Sequence, residues 1–389
     1  ALTREAQERG FRRTFETPID VGGRFSALTP FGLLPMALAG IDVEAIVASA
    51  ADMAADCAPE IPDSQNPALM LGLVLASLRD SGRDKLTLIA SPGLAALPLW
   101  IEQLVAESTG KHGTGIIPVT HESLEDVGAY GPDRVFVHIV LDGEQDTAID
   151  SRLGALAEDG HPVLRISLPQ AEAIGGEFLR WEIATAIAGA LLGVNPFDEP
   201  DVTASKLITR EILDQSPEGA MPDSGEPAAA SDSLEVYVDD QRAWAGSLRA
   251  DTARQLIGSF VELAGPGEYI GVLAFLAGTP ERNELLAELR AGLRARTGVA
   301  TTAGYGPRYL HSSGQLHKGG PNTGLYLLLT SDAAVDIPIP ETTDGFAVLQ
   351  RAQALGDERA LLERDRRVLR VNLGWYVEEG LEALVEALT

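Results

Sequence analysis

A single cysteine, Cys57, stands in 389 residues. No intrachain disulfide can form and no cysteine-based metal site can be built, which fits a reducing compartment. Cationic residues are scarce too: 30 Lys and Arg face 57 Asp and Glu, giving a formal net charge of −27. A surface this acidic repels nucleic acid and anionic membranes. An anionic substrate therefore needs a local basic site set against the global field. The apolar run from Ile183 to Val194 is too short to span a bilayer. No basic-then-apolar signal segment opens the chain, so a cytoplasmic protein is expected. His-Glu-x-x-His is missing, and no Gly-x-Gly-x-x-Gly follows a strand, which argues against a helical zinc site and a dinucleotide loop.

What is present is globular composition, 45% hydrophobic and 22% charged, with enough length for two or three cores. Ala1–Glu16 reads as a helix already under way. Helical spacing follows over Val43–Ala58, Asn66–Ser81 and Leu94–Ser108, where Gly110 stands as a C-terminal glycine. Lys85–Ala90, Arg134–Leu141 and Pro162–Leu168 read as strands, with helices over Ser151–Asp159 and Gly176–Leu192. This alternation predicts α/β layers with a mainly parallel sheet. Gln215–Ser233, rich in Ser, Pro, Gly, Ala and Asp, reads as a flexible linker.

Beyond the linker the pattern restarts. Strands are expected at Tyr269–Leu276, Leu325–Leu329 and Val368-Leu369-Arg370, and helices at Thr279–Arg296 and Val377–Leu388. Thr297-Gly298 echoes Thr109-Gly110, Tyr305-Gly306-Pro307 echoes Tyr130-Gly131-Pro132, and Val368-Leu369-Arg370 echoes Val163-Leu164-Arg165. These matches suggest an internal duplication.

Four segments carry candidate chemistry. Asp20-Val21-Gly22-Gly23-Arg24-Phe25-Ser26 puts one cation on a loop whose glycines let a ligand approach closely. A guanidinium there suits an anion or a developing oxyanion. Gln103-Leu-Val-Ala-Glu107-Ser-Thr-Gly110-Lys111 sets Gln103 and Glu107 on one helix face. The helix dipole there disfavours a carboxylate and raises its pKa, making Glu107 a better base near neutrality. Asn195-Pro196-Phe197-Asp198-Glu199-Pro200-Asp201-Val202-Thr203-Ala204-Ser205-Lys206 leads to one lysine. His311-Ser312-Ser313-Gly314-Gln315-Leu316-His317-Lys318-Gly319-Gly320 gathers two of the six histidines. Taken singly, each also reads as a turn, a solvated helix end or a polar surface loop.

Together the four resemble the phosphoglucose isomerases. The Gly-Gly-Arg string with its Gly32-Leu33-Leu34-Pro35 sequel resembles one family signature, and Glu107–Lys111 the Glu-Ser-x-Gly-Lys motif. Asn195–Lys206 resembles a second signature, with Glu199, Asp201 and Thr203 replacing the usual Gln, Gly and Glu. The resemblance implies Glu107 as proton-transfer base, Arg24 beside the developing charge, and His311 and Lys206 in ring opening. It also implies Gln103, Gly22, Gly23 and Lys111 at the substrate, with no cofactor.

The family's histidine lies between the Glu and Lys motifs, whereas His311 follows both. His121 occupies that interval in surroundings that do not match, and the roles of His121 and His317 stay open. In the family this histidine reaches in from a partner subunit. The second unit, with Ala295 where Glu107 would fall, is therefore expected to replace the partner as a pseudo-dimer in one chain.

The stretch Gly306–Pro321 is similar to the isomerase part of bifunctional transaldolase/phosphoglucose isomerase fusions. That implies an upstream transaldolase and a first sugar-isomerase (SIS-like) domain holding the phosphate loop; no Ser-x-Ser-Gly-Thr-Thr-like loop occurs here. The expected fold is α/β, with SIS-like three-layer units duplicated. Residues 1–40 are expected to end the upstream domain, 41–214 to form the first unit, 215–233 the linker and 234–389 the second unit. The expected reaction interconverts glucose 6-phosphate and fructose 6-phosphate. The alternatives are a non-catalytic sugar-phosphate-binding module and an isomerase for a related phosphosugar such as mannose 6-phosphate, a choice on which Thr120–Gly128 bears.

Overall fold

The structure, a computed structural model, describes residues 2–217, 219–231, 233–248 and 250–388, with the side chains of residues 202–204 outside that description. Ala1, the first residue of the expected opening helix, and Thr203 of the second signature therefore fall partly or wholly outside it. Helix α1 (Leu2–Glu8) stops well short of Glu16, because nothing apolar packs along it and all its side chains lie at the surface. Thr29, Asp42 and Asn66 then cap α2 (Pro30–Leu38), α3 (Val43–Asp56) and α4 (Pro67–Asp80) through their side-chain oxygens, satisfying first-turn amides.

The first sheet follows. Strand β1 (Lys85–Ala90) leads to α5 (Leu97–Thr109), β2 (Ile117–Thr120) and β3 (Arg134–Leu141). Then come α6 (Thr147–Glu158), β4 (Val163–Leu168) and α7 (Ile174–Leu191). All four strands run parallel in the order β2-β1-β3-β4. Leu88, Val137 and Ile139 meet Ile101 and Leu104 of α5 and Trp181 of α7 in one core.

Helix α8 (Val202–Gln215) precedes the stretch expected to be a flexible linker. The structure ties that stretch down. Ser224 accepts hydrogen bonds from Arg351 and Arg370, and β5 (Ala229–Ala230) pairs antiparallel with β6 (Glu235–Tyr237). Glu218 and Asp232 within it lie outside the described residues. After α9 (Ala253–Val261), β7 (Tyr269–Ala274), α10 (Pro280–Thr297), β8 (Ala300–Tyr305) and the short α11 (Gly314–Gly319) follow. Strand β9 (Gly324–Thr330), α12 (Phe346–Leu362), β10 (Arg367–Asn372) and α13 (Val377–Leu388) complete the chain. The second sheet runs β5-β6-β10-β9-β7-β8, and its last four strands are parallel. Read from the other end, β8-β7-β9-β10 has the same strand order as the first sheet.

Two of the sequence echoes fall at corresponding places, Thr109-Gly110 with Thr297-Gly298 after α5 and α10, and Val163–Arg165 with Val368–Arg370 in β4 and β10. The third does not: Tyr130-Gly131-Pro132 leads into β3, whereas Tyr305 ends β8.

The edge strands β2 and β8 lie against each other. Ile117, Val119 and Ala300 share a buried cluster with Ala106, Tyr309 and Leu316, so the two sheets meet through a common apolar layer. A buried ion cluster flanks it. Glu122 receives Arg134 at 2.9 and 3.1 Å from its own unit, and Arg294 at 3.2 Å from the other. Burial alone would raise the Glu122 carboxyl, but the neighbouring arginines hold it below its ordinary value. The Thr120–Gly128 stretch thus begins as a joint between the units.

Candidate active site

Arg24 sits on the single 3-10 turn Gly23–Phe25 and is almost fully buried. Its Nε donates to Ser108 Oγ at 2.9 Å, and its terminal nitrogens donate to Pro196 O, Asp198 O and Glu199 Oε2 at 2.8–3.0 Å. Glu107 Oε1 lies 3.5 Å away. One guanidinium therefore joins three of the sequence segments. The two glycines before it are not demanded by the turn. Gly22 has φ −68°, and a Cβ on either Gly22 or Gly23 would meet nothing within 4 Å. Their contribution is open, exposed space beside the buried cation.

Glu107 occupies the last turn of α5 and is 7% exposed. Gln103, one turn earlier, donates to Glu107 Oε2 at 3.3 Å. The Glu107 carboxyl is raised, as the sequence led one to expect, but burial is the leading cause. Arg24 and Gln103 oppose the rise, and the nearby Glu199 charge adds to it.

Lys111, expected at the substrate, is engaged by the protein itself. Its side chain is wholly buried, donating to Asn195 O and to Asp198 Oδ1 at 2.8 Å. Burial pushes its ammonium down, and the Asp198 bond opposes that. It is a strut under the Asn195–Pro200 loop. Asn195 stiffens the same loop by accepting from Phe197 N and donating to Asp198, and Phe25 packs on Phe197 with ring centroids 5.1 Å apart.

The loop leads into α8, where Lys206 is exposed. His311 is exposed on the turn Arg308–His311. Partial loss of water around its ring and then the Lys206 charge push the imidazole down, so the two groups are electrostatic neighbours within one chain. Both hang from one buried knot. Asp357 accepts from Ser205 Oγ at 3.1 Å and Tyr309 OH at 2.6 Å, and pairs with Lys318 at 2.6 Å. His317 is fully buried between Tyr309 and Tyr326, its pKa pushed down to about 3 by burial first and Lys318 next. It is a neutral core histidine at physiological pH.

Gln315 couples the histidine segment to the helix that carries Glu107. Its amide donates to Gly110 O at 3.0 Å and Asp201 Oδ2 at 2.7 Å, and accepts from Asp201 N at 2.8 Å. Gly110 caps α5 as expected, outside the left-handed region. Its φ is −78°, and a Cβ there would lie 2.5 Å from Leu316 Cα. Glycine is needed for the close approach of the second unit.

Ser108, Gln315 and Asp357 carry this geometry without having been singled out as functional. Ser108 and Gln315 lie inside the motifs, whereas nothing around Asp357 marks it. Glu199 pairs with Arg24 at 3.0 Å. Glu199→Gln is expected to shift the acidic limb of a kcat/KM–pH profile to lower pH, since removing that charge lowers the Glu107 pKa. An unmoved limb would show that Glu107 does not govern it.

No family model matches the chain. Among curated proteins, it is 34% identical over 237 residues to a glucose-6-phosphate isomerase of Rubrobacter xylanophilus, covering 50% of this chain and 54% of that protein. It is 32% identical over 244 residues to one from Parabacteroides distasonis, and 35% identical over 243 residues to one from Symbiobacterium thermophilum, each covering 53% of this chain and 54% of the relative. The chain spans about half the length of the curated relatives it matches. Among solved structures, a hypothetical protein of Thermus thermophilus aligns at TM-score 0.29 and 13% identity, over 94% of this chain and 92% of that one. A glucose-6-phosphate isomerase of Chlamydia trachomatis aligns at TM-score 0.26 and 12% identity, over 84% and 67%.

Proposed function

We propose that the chain isomerises glucose 6-phosphate and fructose 6-phosphate, as part of a longer enzyme that also carries a transaldolase. The observation that carries this reading is the buried, raised carboxyl of Glu107 between Arg24 and Gln103. It is supported by the similarity of half the chain to glucose-6-phosphate isomerases.

In this reading Glu107 takes the proton from C2 of the open-chain aldose. The electron pair becomes the double bond of a cis-enediolate, and the negative charge gathers on oxygen beside Arg24. The O2 proton passes to O1, and Glu107 returns its proton to C1 as the O2 electron pair closes to the C2 carbonyl, which gives the ketose. A carboxyl raised toward neutrality is a stronger base when ionised and a competent acid once protonated. Gln103 keeps the reacting carboxylate in one orientation, and His311 with Lys206 exchange protons with the ring oxygen and O1 during ring opening. For conversion of fructose 6-phosphate run in D2O, NMR should find deuterium at C2 of the glucose 6-phosphate formed. Conversion with no trace of label, together with undiminished conversion by Glu107→Gln, would mean hydride transfer and remove Glu107 from the mechanism. Tight binding without conversion by the longer enzyme would favour a non-catalytic sugar-phosphate module.

The second unit is read as a duplicate that stands in for a partner subunit. The shared strand order of the two sheets and the nearness of His311 to Lys206 support this. Mixing His311→Ala chains with Glu107→Gln chains should therefore restore no activity, and recovery toward a quarter or more of wild type would mean that sites are shared between chains.

A further inference from the structure

A cleft of about 330 Å³ opens where the two units meet, lined by Leu99, Thr120 and His121 from the first and by residues of α10 and β8 from the second. Its volume is within the range of small-molecule sites. None of Glu107, Arg24, Lys206 or Gln103 lines it.

Its chemistry is opposite to that of the acidic whole. Arg290 and Arg308 both line it, with His121 between the units. Arg290 is buried, donating to Thr120 O, His121 O and Thr301 O, yet its Nε has no partner. Arg308 is exposed and makes no recorded hydrogen bond or ion pair among the described residues. The charges of Arg290 and Arg308 both act on the His121 imidazole, so the three groups face a common space. His121 is held in the left-handed region at φ 51°, with its ring bonded to the backbone at Ala95. No carboxylate among the described residues lines the cleft: Glu102 is buried and bonded to Thr120 Oγ1, where burial favours its neutral form, and the ionised Glu122 acts on Arg290 from outside the lining. Two arginines thus meet at one cleft in a chain of net charge −27, the kind of local basic site that an anionic ligand needs against the global field.

The remaining wall fits a sugar. The Tyr305 hydroxyl donates to Asn283 Oδ1 at 2.7 Å, which leaves the Asn283 amide nitrogen as a donor. Leu99, Leu286 and the Tyr305 ring offer apolar faces for C–H groups. We propose that this cleft between the units is a second ligand site that binds a small sugar monophosphate, with the phosphoryl group at Arg290 and Arg308 and the sugar against Tyr305 and Asn283. The site is separate from Glu107, and its occupant bridges the two units.

Glucitol 6-phosphate, which cannot be isomerised, is the probe, with glucitol and inorganic phosphate as controls. Calorimetry on the Glu107→Gln chain is expected to show binding of the phosphorylated probe that Arg308→Ala weakens about 10- to 100-fold, the scale of one lost charged hydrogen bond. Arg308 is exposed, so its replacement leaves the fold intact; Arg290 is avoided for the opposite reason. Crystals soaked in the probe should hold its phosphoryl group between Arg290 and Arg308. An unchanged isotherm for Arg308→Ala, glucitol binding as tightly as its phosphate, or a probe found only beside Glu107 would each overturn the site. None of these outcomes depends on isomerase activity, so the cleft and the isomerase reading stand or fall separately.

Discussion

Glu107→Gln is expected to lower kcat for fructose 6-phosphate by about 10²–10⁴-fold, the usual contribution of a positioned acid–base group, with KM moving little. The substitution keeps the shape and can still bond to Gln103. Arg24 would lose the charge 3.5 Å away but keep Glu199, Ser108 and two carbonyls, so no buried cation is stranded. Stability should therefore stay close to wild type, and the loss should appear as catalysis alone. A coupled assay on the longer enzyme, run beside a thermal melt, separates the two effects. Activity within tenfold of wild type in a folded variant would mean that another group moves the proton.

The largest stability effect is expected at Asp357→Ala. This carboxylate is fully buried and answers three partners: the Lys318 ammonium, the Tyr309 hydroxyl and the Ser205 hydroxyl. Removing it leaves a buried cation unpaired, a change that costs about 3–5 kcal/mol. Urea unfolding should show a lower midpoint for Asp357→Ala. The double variant with Lys318→Met should recover much of the loss, since the charge left behind causes most of it. If the double variant is no better than the single one, the penalty lies in the hydroxyl bonds instead. Because Ser205 adjoins Lys206 and Tyr309 is two residues from His311, the single variant should also lose activity out of proportion to its unfolded fraction.

Fully buried strands were plain in the sequence. Lys85–Ala90 and Arg134–Leu141 are apolar runs bounded by turns, and the amphipathic Val377–Leu388 was equally legible. The strands β2 and β8 were missed. Ile117-Pro-Val-Thr120 is four residues long, and Ala300-Thr-Thr-Ala-Gly-Tyr305 has no apolar run; both are strands through pairing at a sheet edge. Helix α12 escaped because its charged residues do not segregate: Asp357 is buried and Glu358 half-buried among apolar positions, and both are paired. In the site, residue types and spacing pointed to Glu107, Arg24, Lys206 and His311. Spacing has no means of giving the knot at Asp357, 152 residues beyond its partner Ser205, or the close contact that requires Gly110.

The meeting of β2 with β8 bears on how the chain resists strand-to-strand association. An edge strand offers unpaired amides and carbonyls to any passing strand, and aggregation starts there. Each sheet here ends in one such strand, and each covers the other's margin. The opposite margins are guarded differently: β4 carries the exposed Arg165, and β5 is only two residues long. Cutting the chain between the units would strip the cover from both inner margins and from the apolar layer around Ile117 and Ala300. Either half alone would then expose an edge strand and part of that apolar layer.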